Sequence, residues 1–119
     1  MMKLDQLALQ VRSLAASRAW YVDVLGLTVE FEIAERRAVA LNDTGGFALF
    51  LEESGDAASG RAALWFQVGS FDEVYAELAA RGVAFAHPPR KNYWGYGAEL
   101  TDPDARAIRL WDVKSMAEK

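Results

Sequence analysis

Residues 4–13 read Leu-Asp-Gln-Leu-Ala-Leu-Gln-Val-Arg-Ser, and residues 62–70 read Ala-Ala-Leu-Trp-Phe-Gln-Val-Gly-Ser. In the first stretch Leu7, Leu9 and Val11 alternate with Gln6, Ala8 and Gln10. In the second, Leu64, Phe66 and Val68 alternate with Ala63, Trp65 and Gln67. A period of two marks a half-buried strand. The two stretches superpose with Val11 on Val68, and the same offset sets Ser13 on Ser70, each placed as a helix N-cap. Ser70 and Glu73 also have the S-x-x-E spacing of a capping box.

Working outward, an apolar stripe of helical period follows each serine. Leu14, Trp20, Tyr21, Val24 and Leu25 are stopped by Gly26, and Phe71, Val74, Tyr75 and Leu78 by Gly82. Strands are expected next at 27–33, 37–41 and 47–52 in the first half, and at 83–86, 97–101 and 107–113 in the second. The closing strands match as well, FALFLE (47–52) onto RAIRLW (106–111). Each half therefore reads β-α-β-β-β. The expected organisation is one domain: module one over 1–53, a linker SGDAASG over 54–60, and module two over 61–119. Such modules suit an α+β fold in which both halves build a curved, cup-like mixed sheet with the helices outside.

Composition narrows the function classes. The chain has 119 residues, 52% apolar and 25% charged, with a net charge of −4 and no cysteine. One globular domain is expected, without disulfides or cysteine–metal sites, and nothing points to secretion. With no basic stripe and no long apolar run, neither nucleic acid nor a membrane is an expected partner, and a cytoplasmic location is.

The opening LDQLALQVRSLAASRAWYVDVLGL (4–27), with Trp20-Tyr21 and Leu25-Gly26 at the helix end, resembles the glyoxalase/bleomycin resistance/dioxygenase superfamily, the vicinal oxygen chelate proteins. The close, Gly95 to Leu100 followed by Thr101-Asp102-Pro103-Asp104, resembles that family's G-x-x-x-x-F/L-x-D-P-D-G turn. The resemblance spans nearly the whole chain and implies paired βαβββ modules and a two-fold homodimer. It also implies one divalent metal in the cup of the family's enzymes, with four ligands, mostly His and Glu. Those positions fall here on Gln6, Phe50, Ala63 and Arg109. Phe50 and Ala63 offer no lone pair, Arg109 is a fixed cation, and Gln6 alone is a weak neutral donor, so no metal or other cofactor is expected. His87 lies in the Pro-flanked loop Ala86-His87-Pro88-Pro89 and reads as a solvated histidine.

Strand parity assigns Gln6, Ala8, Gln10, Ala48, Phe50, Glu52, Ala63, Trp65, Gln67, Ala107, Arg109 and Trp111 to the inner face. Leu7, Leu9, Leu49, Leu51, Leu64, Phe66, Ile108 and Leu110 then form the core under the helices. The candidate ligand-binding residues are Gln6, Gln10, Phe50, Glu52, Trp65, Gln67, Arg109 and Trp111. Tyr93 and Trp94 join them from the loop 88–97, which the resemblance sets by the mouth of the cup. Aromatic walls with a few polar groups suit a small organic ligand, although the rings alone also suit core or interface filling. Arg109 either pairs with Glu52 or another acid, or anchors an anionic or carbonyl-bearing ligand. The expected function is a metal-free binding protein of the bleomycin-resistance type, sequestering an organic, antibiotic-like molecule. The alternative is a lyase, isomerase or dioxygenase-like enzyme with Glu52 or Glu99 as base. A structural or regulatory partner module has no sequence signature in its favour.

Overall fold

The computed structural model describes residues 4–55, 62–92 and 95–112. Most of the expected linker, and both Tyr93 and Trp94, lie outside the described residues. The chain divides into two compact units, Met1–Ser59 and Gly60–Lys119, which carry the same element order.

In the first unit, β1 (Gln6–Val11) leads to α1 (Leu14–Asp23), β2 (Thr28–Ile33), a 3₁₀ turn (Ala34–Arg36), β3 (Ala38–Asn42) and β4 (Ala48–Glu53). In the second, β5 (Ala63–Gln67) leads to α2 (Phe71–Ala80), β6 (Arg90–Asn92), β7 (Gly95–Thr101) and β8 (Ala107–Asp112). The strand orders are β1-β4-β3-β2 and β5-β8-β7-β6, and the first pair in each is parallel while the others are antiparallel. The α+β class and both βαβββ modules follow the sequence pattern.

Each helix packs on one face of its own sheet, α1 on β3 and β4, α2 on β7 and β8. Leu9, Val11, Leu41, Leu49 and Leu51 are buried in the first unit, and Phe71, Leu78, Leu100, Ile108 and Leu110 in the second. Leu7, assigned by parity to the core, is 39% exposed, and Leu64 and Phe66 are only half-buried. All three lie on β1 or β5, the outermost strands of their sheets, whereas the helices sit over the central ones.

The helix starts reveal a second symmetry. Ser13 caps α1 as expected, accepting the Ala16 N–H at 3.1 Å. A carboxylate from the end of β4 adds to it, Glu53 Oε2 accepting the Leu14 N–H at 2.9 Å. In module two the expected Ser70–Glu73 capping box is not what holds the helix start, because the Ser70 side chain makes no cap bond. The buried carboxylate of Asp112, at the end of β8, accepts the Phe71 N–H instead. A full negative charge at a helix N-terminus opposes the macrodipole more effectively than a hydroxyl does. Arg37, in the left-handed region at φ +51°, forms an ion pair with Glu53. The Leu14 N–H, and then Arg37, hold the Glu53 carboxyl below its ordinary pKa.

The expected strand at 83–86 is irregular, and its place in the sheet is taken by β6 at 90–92. Phe85 turns toward α2, packing on Tyr75 (ring centroids 4.9 Å) and on Phe71 (6.3 Å). Ala86 N–H reaches the Glu99 carbonyl at 2.7 Å, and the chain then meets Pro88-Pro89, which have no N–H for a ladder. Regular pairing resumes at Arg90, opposite Gly97. Beside this segment the Tyr96 hydroxyl donates to Asp72 Oδ1 at 2.6 Å, and that bond with burial pushes its pKa up to about 12.

Candidate functional site

The sheet face turned away from each helix is where parity placed the candidate residues, and the register bears on how they meet. In module two, Trp65 on β5 is opposite Arg109 on β8, which is opposite Glu99 on β7. One row thus carries an indole, a cation and a carboxylate. Arg109 Nε donates to Glu99 Oε1 at 3.0 Å, and its guanidinium carbon lies 4.8 Å from the Trp65 ring centroid. Trp65 remains 50% exposed. Glu99, weighed from sequence only as a possible base, is the acid that Arg109 takes. A ladder partner two strands in from the edge is invisible until the register is known.

The neighbouring row is Gln67, Trp111 and Gly97. Trp111 is half-buried because its indole lies over Gly95, where an added Cβ would come within 2.9 Å of Trp111 Cε3. Gly95 has φ +143°, so glycine is required there for conformation as well as for space. At Gly97 a Cβ would collide with the Leu110 carbonyl, so β7 approaches β8 as closely as bare backbone allows.

In module one the corresponding middle row is Ala8, Phe50, Ala40 and Phe31. Phe50 meets Phe31 edge-on across Ala40, with centroids 5.6 Å apart. Phe31 is 43% exposed and was missed in the sequence, since a bulge between Val29 and Phe31 shifts the parity of β2. Gln6 is in register with Ala48, and Gln10 with Glu52, on the same face; Gln6, Gln10 and Glu52 are all exposed.

His87 is half-buried and bonded, where a solvated ring was expected. Its Nε2 accepts the Glu99 N–H at 3.3 Å and its Nδ1 lies 2.8 Å from the Pro88 carbonyl, which assigns the proton to Nδ1. The ring stands in for the strand carbonyl that the proline pair interrupts.

The donor set does not fit a metal. Of the four positions the resemblance assigns to ligands, Phe50 packs on Phe31, Ala63 has no donor, and Arg109 holds its cation in the Glu99 pair. Among the described residues no three His, Asp or Glu side chains gather as a metal site would require. On the open face of module two, Trp65 offers a ring surface and Gln67 a side-chain amide. No helix among the described residues is long and apolar enough to cross a membrane.

Comparison with known proteins sets this arrangement in context. The structure is similar to an integron cassette protein from the mobile metagenome of the Halifax Harbour sewage outfall (TM-score 0.79, 22% identity, covering 92% of this chain and 97% of that one). It is similar to a possible glyoxalase from Bacillus cereus (0.77, 20% identity, 93% and 99% covered). It is also similar to the bleomycin-binding protein of Streptomyces verticillus, solved with copper(II)-bleomycin (0.70, 16% identity, 94% and 97% covered). At these identities the likeness is one of fold. No curated protein matches the sequence. The family description "Glyoxalase/Bleomycin resistance protein/Dioxygenase superfamily" matches residues 3–110, a span that takes in both βαβββ modules and all but the last residues of β8. On that match, and on the duplicated module behind it, the chain belongs to the glyoxalase/bleomycin resistance protein/dioxygenase superfamily.

Proposed function

We propose that the protein captures a small, planar, antibiotic-like organic molecule stoichiometrically, without a metal ion and without turning it over. The observation that carries this reading is Trp65, a half-exposed indole in mid-strand, backed on one side by the Arg109 guanidinium. Exposed indole is costly to keep, and a ring stacked on it would recover that cost. Gln67 beside it supplies a neutral hydrogen-bonding group of the kind that orients a ligand in an apolar site. The bleomycin-binding relative supports the ligand class. On this reading the two modules act as one domain, the protein works in the cytoplasm, and it does so as a two-fold homodimer of about twice 13.2 kDa.

The test is a titration of tryptophan fluorescence with bleomycin and other planar antibiotics, followed by mass spectrometry of the recovered ligand. Saturable quenching, a one-to-one ratio per chain, unchanged ligand and several-fold weaker binding in Trp65→Ala are expected, since one stack contributes about 1 kcal/mol. Chemical conversion of the ligand, lost in Glu52→Gln, would favour the enzymatic alternative. Binding indifferent to Trp65→Ala and Trp111→Ala together would place the site elsewhere.

A further inference from the structure

Trp65 and Trp111 share one face, yet their rings are held by different means. The Trp111 indole lies over Gly95, where bare backbone makes room for it. No aromatic ring among the described residues packs on Trp65, which is 50% exposed on the outermost strand β5. Its neighbours on the same face are Ala63 and Gln67 along β5, and Ala107, Arg109 and Trp111 on β8. The two alanines are too short to brace an indole, Gln67 is itself exposed, and the Trp111 ring is taken up by Gly95. Arg109 remains, directly in register, with its guanidinium carbon over the Trp65 ring at 4.8 Å.

Such a brace matters because the torsion that turns an indole about its attachment has broad wells, so an exposed ring swings. A ring that must be stilled when a ligand lands subtracts from affinity, and a ring already held does not. Guanidinium suits the task, being planar, always charged and attracted to an aromatic face. The Arg109 side chain is only 20% exposed, and its Nε donates to Glu99 Oε1 at 3.0 Å, so the brace is itself anchored.

We infer that Arg109 is a positioning residue for ligand capture: its guanidinium holds the Trp65 indole still, with one face open to a planar ring. The inference rests on the proposed ligand-binding function. The effect runs through the mobility of the ring, whatever the charge of the ligand.

The ring can be read directly, before any ligand is added. In the ¹⁵N-labelled full chain each tryptophan gives one side-chain N–H signal, and Trp65→Phe identifies that of Trp65. Its order parameter is expected to match rigid backbone, about 0.85, in the wild type, and to fall below about 0.6 in both Arg109→Lys and Arg109→Met. The signals of Trp111 and of Trp20, which packs edge-on against Tyr21, are expected to keep theirs, as they would not if the whole fold loosened. Lysine keeps the charge and methionine only an apolar stem, so a loss common to both belongs to the guanidinium. Equilibrium dialysis with uncharged phenanthridin-6(5H)-one and with bleomycin is then expected to show about three- to tenfold weaker binding in both variants, the range for one side chain left to be immobilised on binding. If one variant fails to fold, the other carries the same test. A Trp65 ring as ordered in the variants as in the wild type, full rescue by lysine, or a freed ring with unchanged affinity would overturn the positioning role alone. Binding of neither ligand to the wild type would overturn both it and the proposed function.

Discussion

Asp112 and Phe71 are 41 residues apart in sequence, yet the carboxylate of one accepts the backbone N–H of the other. The same bond joins Glu53 to Leu14 in module one, 39 residues apart. In each module the last strand therefore ends by fixing the first turn of the helix that follows the first strand. This bond closes the module on itself.

Asp112→Ala should cost roughly 2 kcal/mol, the range for a buried hydrogen bond to a charged group, because the Phe71 N–H is left without its acceptor. Ser70→Ala should cost less than about 0.5 kcal/mol, since the Ser70 side chain makes no cap bond to lose. Urea denaturation of both variants measures the contrast. Equal losses would mean that the hydroxyl contributes as much to the helix start as the carboxylate does, against this assignment.

The Glu53 carboxyl has a lowered folded pKa, through the Leu14 N–H first and Arg37 after it. Its contribution to stability is therefore present above the ordinary glutamate value and is lost as pH falls through the lowered folded value. Glu53→Gln keeps an acceptor but no charge. Denaturation between about pH 5 and pH 3 should show the wild type losing its advantage over the variant. Parallel curves would contradict the assignment.

At the other end of the scale, Tyr96 titrates at about 12, against an ordinary value of 10.0. Raised folded values favour the protonated form, so this contribution is full below 10 and disappears as pH rises through 12. Tyr96→Phe should flatten the alkaline loss of stability in that window and remove the component near 12 from a tyrosinate absorbance titration.

Ala105 has φ +66° at the position where the family's closing turn carries glycine. A left-handed alanine costs roughly 1–2 kcal/mol, partly offset by its stiffening of the unfolded chain. Ala105→Gly should thus stabilise the protein by about 0.5–1 kcal/mol, read as a higher urea midpoint at unchanged slope. A lower midpoint would show that the Asp102–Arg106 turn depends on the alanine side chain.

Protein dialysed against buffer containing Ni²⁺, Zn²⁺, Mn²⁺ or Fe²⁺ and then against metal-free buffer should retain far less than one metal per chain. The reason is the side chains at the four ligand positions, of which Phe50, Ala63 and Arg109 cannot donate. Near-stoichiometric metal by elemental analysis, lost in Gln6→Ala, would contradict this.

The fold was legible because its signals are local. Alternation in 4–11 and 62–68, the serine caps and the glycine stops at Gly26 and Gly82 each depend on a few consecutive residues, and both glycines do adopt positive φ. The misplaced strand at 83–86 shows the limit. Val83, Phe85 and their neighbours have strand composition, but Phe85 packs on the α2 aromatics, and the proline pair postpones regular pairing to Arg90. The shared face of module two was legible residue by residue, and its pairings were not. Parity put Trp65, Arg109 and Trp111 on one face, but only register could join Arg109 to Glu99 rather than Glu52. Caps contributed across about 40 residues, by Glu53 and Asp112, leave no short-range mark at all.

The matched middle rows, Ala8–Phe50–Ala40 in one module and Trp65–Arg109–Glu99 in the other, occupy equivalent places on equivalent strands. One is wholly apolar and the other carries both signs of charge, while the carboxylate locks behind them are the same in kind. The two modules therefore differ along this row and share a carboxylate bond where the helix is fastened. For anyone wishing to re-specify this chain, the open face is a palette that can be repainted one module at a time, and the fastening is what must be left alone.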